Sequence, residues 1–135
     1  MFVAPQTDRI KAAIAIQPTT PTVFTPNYAR ALMGPLAYIV SPISELLYRI
    51  AGGPSLSFIQ PALAVAGARF PILFIQGTGD RWGSQADVAR MAALAPRGSV
   101  LFPETDHRFG GYTWILDHPE VSMDFFRTHV GRAQA

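Results

Sequence analysis

The stretch FPILFIQGTGD, residues 70–80, decides the fold class that this sequence predicts. Its first six residues form an apolar run, which is typical of a strand covered on both faces in a parallel sheet. The run enters a glycine- and threonine-rich turn that ends at Asp80. After a helical segment, a second short apolar strand, residues 99–102, leads into ETDH, residues 104–107. An acid and a histidine thus follow two successive strands, and ligand sites lie at the carboxyl ends of such strands.

The rest of the chain completes an α/β pattern. A short apolar segment from Ile10 to Ile16 is typical of a first parallel strand. Residues 18–68 contain helical segments separated by prolines and glycines. We predict a first helix over 27–33 and a second from Ser41 to a stop at glycines 52 and 53. A third helix is predicted over 55–66, with a break near Pro61.

Further helices are predicted from a Ser84 cap to about Leu94, and from a capping-box-like start at residues 117–120 to Gly131. The order is strand, helical insertion, strand, helix, strand, helix. It predicts one α/β domain over residues 1–135, with three parallel strands and flanking helices.

Composition excludes several classes of function. The chain is 49% hydrophobic and 15% charged, which favours a folded core. It has no cysteine, so this sequence supplies no disulfide, thiolate metal site or cysteine nucleophile. The three histidines are too dispersed to indicate a zinc site, and we predict no metal. A net charge of +2, carried by scattered basic residues, argues against nucleic-acid binding.

The sequence also gives expectations about location. The first residues lack a basic segment followed by an apolar one, so we expect no signal peptide and a cytoplasmic protein. The uncharged run over residues 31–44 is interrupted by two prolines and is shorter than the roughly 20 residues needed to span a bilayer. We therefore expect buried or pocket-lining helix there and no membrane contact.

Asp80 and His107 are the candidate catalytic pair. Taken alone, Asp80 is explained by a strand-ending turn, and His107 by a half-buried ring bonded to a backbone carbonyl. Together they have the types and placement of a carboxylate that orients an imidazole and stabilises its protonated form. Asp106 is predicted to be a poorer partner, because neighbouring side chains in an extended segment point apart.

Two motifs resemble the C-terminal half of an α/β-hydrolase. The acid strand of that family typically reads P-x-L-x-I-x-G-x-x-D, and residues 71–80 match it. The histidine loop of the family typically reads Asp-His followed by a bulky residue and a last helix, and DHRF at 106–109 matches it. The resemblance implies that Asp80 is the triad acid and His107 the general base, with no cofactor. It also implies that residues 18–68 are a helical cap insertion, and residues 69–135 the acid and histidine strands with the final helix.

The chain departs from the family pattern at the nucleophile. The family places its serine in a G-x-S-x-G elbow before the acid and the histidine, and no such motif occurs in these 135 residues. The nearest segment, GPSLS at 53–57, lacks the second glycine and falls in the predicted cap. The oxyanion-hole amides of the family would also lie upstream. We therefore expect this chain alone to lack efficient hydrolase activity.

The implied reaction is hydrolysis of an ester or similar acyl bond, with a small apolar ester-like substrate. Four aromatic residues flank the two candidate catalytic positions and are candidates to line the pocket, although core packing explains them equally well: Trp82, Phe109, Tyr112 and Trp114. Two alternatives stay open. One is an epoxide or haloalkane hydrolase with an upstream aspartate nucleophile, and the other is a non-catalytic pseudoenzyme or an assembly or binding fragment.

The first strand predicts a partner. In the family this strand is interior, but here the neighbouring strand is missing from the sequence, so the edge from Ile10 to Ile16 would be apolar and unpaired. Such edges promote strand addition. We expect a homodimer or a companion N-terminal half to pair there.

Overall fold

Three parallel strands form the centre of the molecule in the computed structural model, which describes residues 9–131. The strands are β1 (Ala13–Ile16), β2 (Ile72–Ile75) and β3 (Gly98–Leu101), and they lie in the order β1-β2-β3. Ala13 is paired with Ile72, which is paired in turn with Gly98. With helices on both sides of the sheet, this arrangement confirms the predicted α/β class.

Within residues 9–131, six α-helices accompany the sheet. Two short 3₁₀ turns, Gly34–Leu36 and Leu56–Phe58, lie among the helices that connect β1 to β2. The helices are α1 (Pro21–Met33), α2 (Ala37–Ile50), α3 (Pro61–Ala66), α4 (Gln85–Leu94), α5 (Gly110–Asp117) and α6 (Pro119–His129).

The core has two layers because side chains on β2 alternate between the faces of the sheet. Ile72 and Phe74 pack against α3 and α4, where Val65, Val88 and Met91 are almost fully buried. Leu73 and Ile75 pack on the other face, against α5 and α6. Every residue of β2 is buried, whereas those of β1 are only half-buried. The core is therefore built around β2.

The helices between β1 and β2 differ from the prediction at their starts. The first helix begins at Pro21 rather than residue 27, with proline in the first turn, where a missing N–H costs nothing. The predicted start at Ser41 and Pro42 is wrong, since α2 begins at Ala37 and runs through both residues. The break lies instead at Gly34, whose φ of 56° is in the left-handed region. The predicted stop at the glycines after Ile50 is confirmed.

The second half of the chain follows the prediction more closely. Ser84 caps α4 by accepting a hydrogen bond from the backbone N–H of Asp87 at 3.3 Å, and α4 ends at Leu94 as predicted. The capping box predicted for the last helix is not formed, because its N-cap is His118 and no side chain caps it. Helix α5 was missed, because it begins with Gly110 and Gly111 and glycine is a poor helix former.

We predict that Phe74→Ala lowers the free energy of unfolding by about 3–5 kcal/mol, because Phe74 is 0% exposed and its removal leaves a cavity between β2 and its covering helices. Urea denaturation followed by circular dichroism measures the change. Phe58→Ala is the matched control, since Phe58 is 78% exposed and its replacement should cost no more than about 0.5 kcal/mol. Equal losses in the two variants would contradict a core centred on β2.

Candidate active site

The candidate site lies at the carboxyl edge of the sheet, where the chain leaves all three strands. Gln17 follows β1, the segment from Gln76 to Asp80 follows β2, and residues 102–107 follow β3. Parallel strands bring these segments to one edge. The sequence-based expectation that the Asp80 and His107 loops lie next to each other therefore agrees with the structure.

Two threonines hold these loops together. The Thr78 hydroxyl accepts a hydrogen bond from the backbone N–H of Thr105, and the Thr105 hydroxyl accepts one from the backbone N–H of Gly79, each at 3.0 Å. The backbone N–H of Thr78 also donates to the Pro103 carbonyl at 3.0 Å. These reciprocal bonds fix the loop at residues 76–80, the acid loop, against the loop at residues 102–107, the histidine loop.

The glycines of the acid loop are required by close packing. A Cβ at Gly79 would lie 2.6 Å from both the backbone nitrogen of His107 and the carbonyl oxygen of Thr105. A Cβ at Gly77 would lie 2.8 Å from the backbone nitrogen of Gly111. Since these contacts are with backbone atoms, a side chain at either position would force the loops apart.

Asp80 is held by four hydrogen bonds. Its Oδ1 accepts from the backbone N–H groups of Trp82 and Gly83, at 2.9 and 3.2 Å. Its Oδ2 accepts from the side-chain amides of Gln17 and Gln76, at 3.2 and 3.1 Å. The carboxylate is consequently fixed in position, and donors already occupy both of its oxygens.

His107 does not contact that carboxylate. Within residues 9–131, no hydrogen bond or ion pair joins the His107 ring to Asp80. The ring Nδ1 accepts a hydrogen bond from the backbone N–H of Phe109 at 3.2 Å, and Nε2 lies 3.9 Å from Oδ1 of Asp106. An acceptor at Nδ1 places the proton of the neutral ring on Nε2, which is the opposite of the tautomer that a triad base needs.

The pairing with Asp106 differs from the expectation that Asp106 would be the poorer partner. That expectation assumed an extended segment, but residues 106–109 form bends and a turn, so side chains of neighbours do not point apart. Both groups are exposed, with 53% of the His107 side chain and 95% of the Asp106 side chain in solvent. An exposed pair of this kind contributes little to stability.

Gln17 is a site residue that the sequence analysis missed. Its φ of 46° is the one left-handed non-glycine conformation among residues 9–131. Its amide nitrogen donates to Asp80 and to the Arg108 carbonyl, and so connects β1 to both other loops. A non-glycine residue in this conformation is often found at functional sites. A signal was available in the sequence, because Gln17 is a polar residue directly after the apolar first strand, just as Asp80 comes in the turn after the second.

A cavity of about 100 Å³ opens beside Asp80. Two of the four aromatic candidates, Phe109 and Tyr112, line it, and the Tyr112 hydroxyl donates to the Ile16 carbonyl at 3.2 Å. The other residues that line it are Gln17, Thr19, Phe24 and Arg108. Part of its wall therefore comes from α1, which lies over the carboxyl edge.

The other two aromatic candidates lie outside the cavity lining. The guanidinium of Arg108 lies over the Trp82 ring, 3.6 Å from the ring centroid, so Trp82 supports the wall from behind. Trp114 stacks on His118 and packs against the buried side chains of Leu73 and Ile75. Trp114 is therefore a core residue and does not line the pocket.

No protein-family model, curated protein or solved structure matches this chain. Within residues 9–131, no cluster of three or more histidine or acidic side chains is arranged to hold a metal ion.

We predict that Gly79→Ala separates the two loops and lowers the free energy of unfolding by roughly 1–3 kcal/mol, because the new Cβ would overlap backbone atoms of Thr105 and His107. Thermal unfolding measures the loss, and backbone amide shifts of residues 105–107 report the movement. Gly131→Ala is the control, since its Cβ would meet nothing within 4 Å. Unchanged amide shifts in Gly79→Ala would show that the loops are not in close contact.

We also predict the tautomer of His107. In the isolated chain the neutral ring carries its proton on Nε2, because Nδ1 accepts a hydrogen bond from the backbone N–H of Phe109. Long-range ¹H–¹⁵N correlation spectra distinguish the two ring nitrogens directly. A spectrum with the proton on Nδ1 would contradict the geometry described here.

Proposed function

We propose that this chain is the C-terminal portion of an α/β-hydrolase-type enzyme that cleaves ester or similar acyl bonds. In this proposal Asp80 is the triad acid and His107 is the general base. The observation that supports it most is the docking of the acid loop on the histidine loop, at the carboxyl edge of adjacent parallel strands. The helical segments between β1 and β2, with α1 over that edge, suit a cap that encloses an apolar substrate.

Activity requires a change at both catalytic residues. His107 must release the Phe109 amide and turn its Nδ1–H toward Asp80. Asp80 must exchange one of its side-chain donors, Gln17 or Gln76, for the imidazole. More than half of the His107 side chain is exposed, so this rotation does not require the core to open.

The nucleophile must come from elsewhere, because no elbow motif occurs in this sequence. The outer edge of β1 is the place where a further part of the enzyme would join. Among the described residues no strand pairs with that edge, and the side chains of Ile14 and Ile16 are only half-buried. A strand added there, from a companion N-terminal half or a second copy, would extend the sheet.

A second candidate is a non-catalytic binding or assembly module. The four donors on Asp80 and the orientation of His107 favour it, since both groups have satisfied hydrogen bonds without each other. In that case the paired loops serve as a rigid framework, and replacing His107 leaves the function of the protein unchanged.

The two candidates make different predictions for the product of a reading frame extended upstream of Met1. If that frame encodes a G-x-S-x-G elbow, the extended protein should hydrolyse p-nitrophenyl butyrate. His107→Ala should lower its kcat by roughly 10⁴-fold, the scale of losing triad function. His118→Ala is the control, because the His118 ring contacts the Trp114 carbonyl and lies in a different loop.

The chain of 135 residues alone should not be labelled stoichiometrically by a fluorophosphonate probe, because the probe reacts with an activated serine. Stoichiometric labelling of this chain would overturn the proposal that the nucleophile lies outside it. Full activity of His107→Ala in the extended protein would remove His107 from catalysis, and an extended protein without any hydrolase activity would favour the binding module.

A further inference from the structure

The outward side of α2 carries an uncovered row of large apolar residues. Leu36 directly precedes the helix, and the row continues through Ile39, Ile43, Leu46 and Ile50. Their exposed fractions lie between 52% and 73%. We refer to these five residues as the α2 outer stripe.

Helix α2 differs from an ordinary surface helix because it exposes large apolar side chains to solvent. Surface helices turn their apolar side toward the protein and their polar side toward solvent. The side of α2 that faces α1 carries Val40, Ser41 and Glu45, while the outer stripe lies on the opposite, exposed side of the helix. Only Ala37 of α2 is buried. The outer stripe therefore has no partner among the described residues.

The spacing of the stripe indicates what covers it. Its residues alternate at intervals of three and four, the a/d pattern by which two helices pack side by side. The stripe is uncharged, so two copies can face each other without bringing like charges together. Its exposed apolar surface, with Leu47 beside it, amounts to several hundred Å², approaching the roughly 800 Å² per partner of a standard interface.

A lipid surface is a poorer partner for the α2 outer stripe than a second copy of the chain. The stretch Pro21–Ile50 is long and apolar enough to cross a membrane by length and composition, and an 18-residue window within it has a mean hydropathy of 1.3 with 6% of its residues buried. The chain breaks at Gly34, however, and leaves α1 and α2 with 13 and 14 residues, shorter than the roughly 20 that span a bilayer. Residues 21–50 contain two basic residues, whereas helices that lie on membranes are rich in lysine and arginine.

We infer that the α2 outer stripe is the interface through which two copies of this chain associate. The interface is isologous, with the same stripe supplied by each copy. It is separate from the outer edge of β1, and it does not depend on whether the chain takes part in hydrolysis.

Sedimentation velocity of the full chain over a concentration series tests this inference. The wild type is expected to form dimers, and Ile43→Glu to weaken the dimer by at least about 100-fold, because it places a charge at the centre of the apolar seam. Leu116→Glu is the matched control, since Leu116 is 78% exposed but lies on α5, and its dimer should be unchanged. Circular dichroism establishes that each variant is folded, and Ile39→Glu replaces any Ile43 variant that is not.

Three outcomes overturn the inference. The first is a wild-type chain that stays monomeric at all concentrations. The second is a dimer unaffected by either stripe variant, which would direct attention to the β1 edge. The third is a monomer that co-sediments with phosphatidylcholine–phosphatidylglycerol vesicles and loses this binding in Ile43→Glu, which would assign the stripe to lipid. None of these outcomes depends on catalytic activity, so they are distinct from failure of the proposed hydrolase function.

Discussion

The burial of β2 on both faces is the constraint on which the rest of the structure depends. Four consecutive residues of this strand are buried, and successive side chains enter different helical layers. A strand enclosed in this way must have neighbours on both edges and helices above and below it, because its backbone and side chains have no access to water. The positions of β1 and β3, and hence the meeting of the loops at the carboxyl edge, follow from that requirement.

The parts of the fold that could be predicted are those with strong local signals. The apolar run of β2 and the Ser84 cap of α4 each have one dominant physical cause, and both were placed correctly. The start of α2 could not be read from Ser41 and Pro42, because a left-handed glycine seven residues earlier sets the boundary. Helix α5 begins with two glycines whose presence is explained by tertiary contacts with Thr105 and Gly77, which no local propensity encodes.

The candidate site also has one feature that could be predicted from the sequence and one that could not. That the Asp80 and His107 loops would meet was predictable, because the position of a residue after a parallel strand follows from topology alone. The orientation of each side chain was not, since it depends on Gln17, Gln76 and the Phe109 amide, which lie in different segments of the chain. Topology thus brings the acid and the base to the same edge, while individual hydrogen bonds decide whether they interact.

The absence of room at Gly77 and Gly79 has a consequence for how such a protein can change over evolutionary time. Neither glycine can accept even a methyl group without displacing neighbouring backbone, so sterics hold these two positions fixed. Helices α1 and α2 contribute only Ala29 and Ala37 to the buried residues, and most of their positions can vary without disturbing the sheet. Changes of specificity are therefore sterically easier in these two helices than at the two glycines of the loop beneath them.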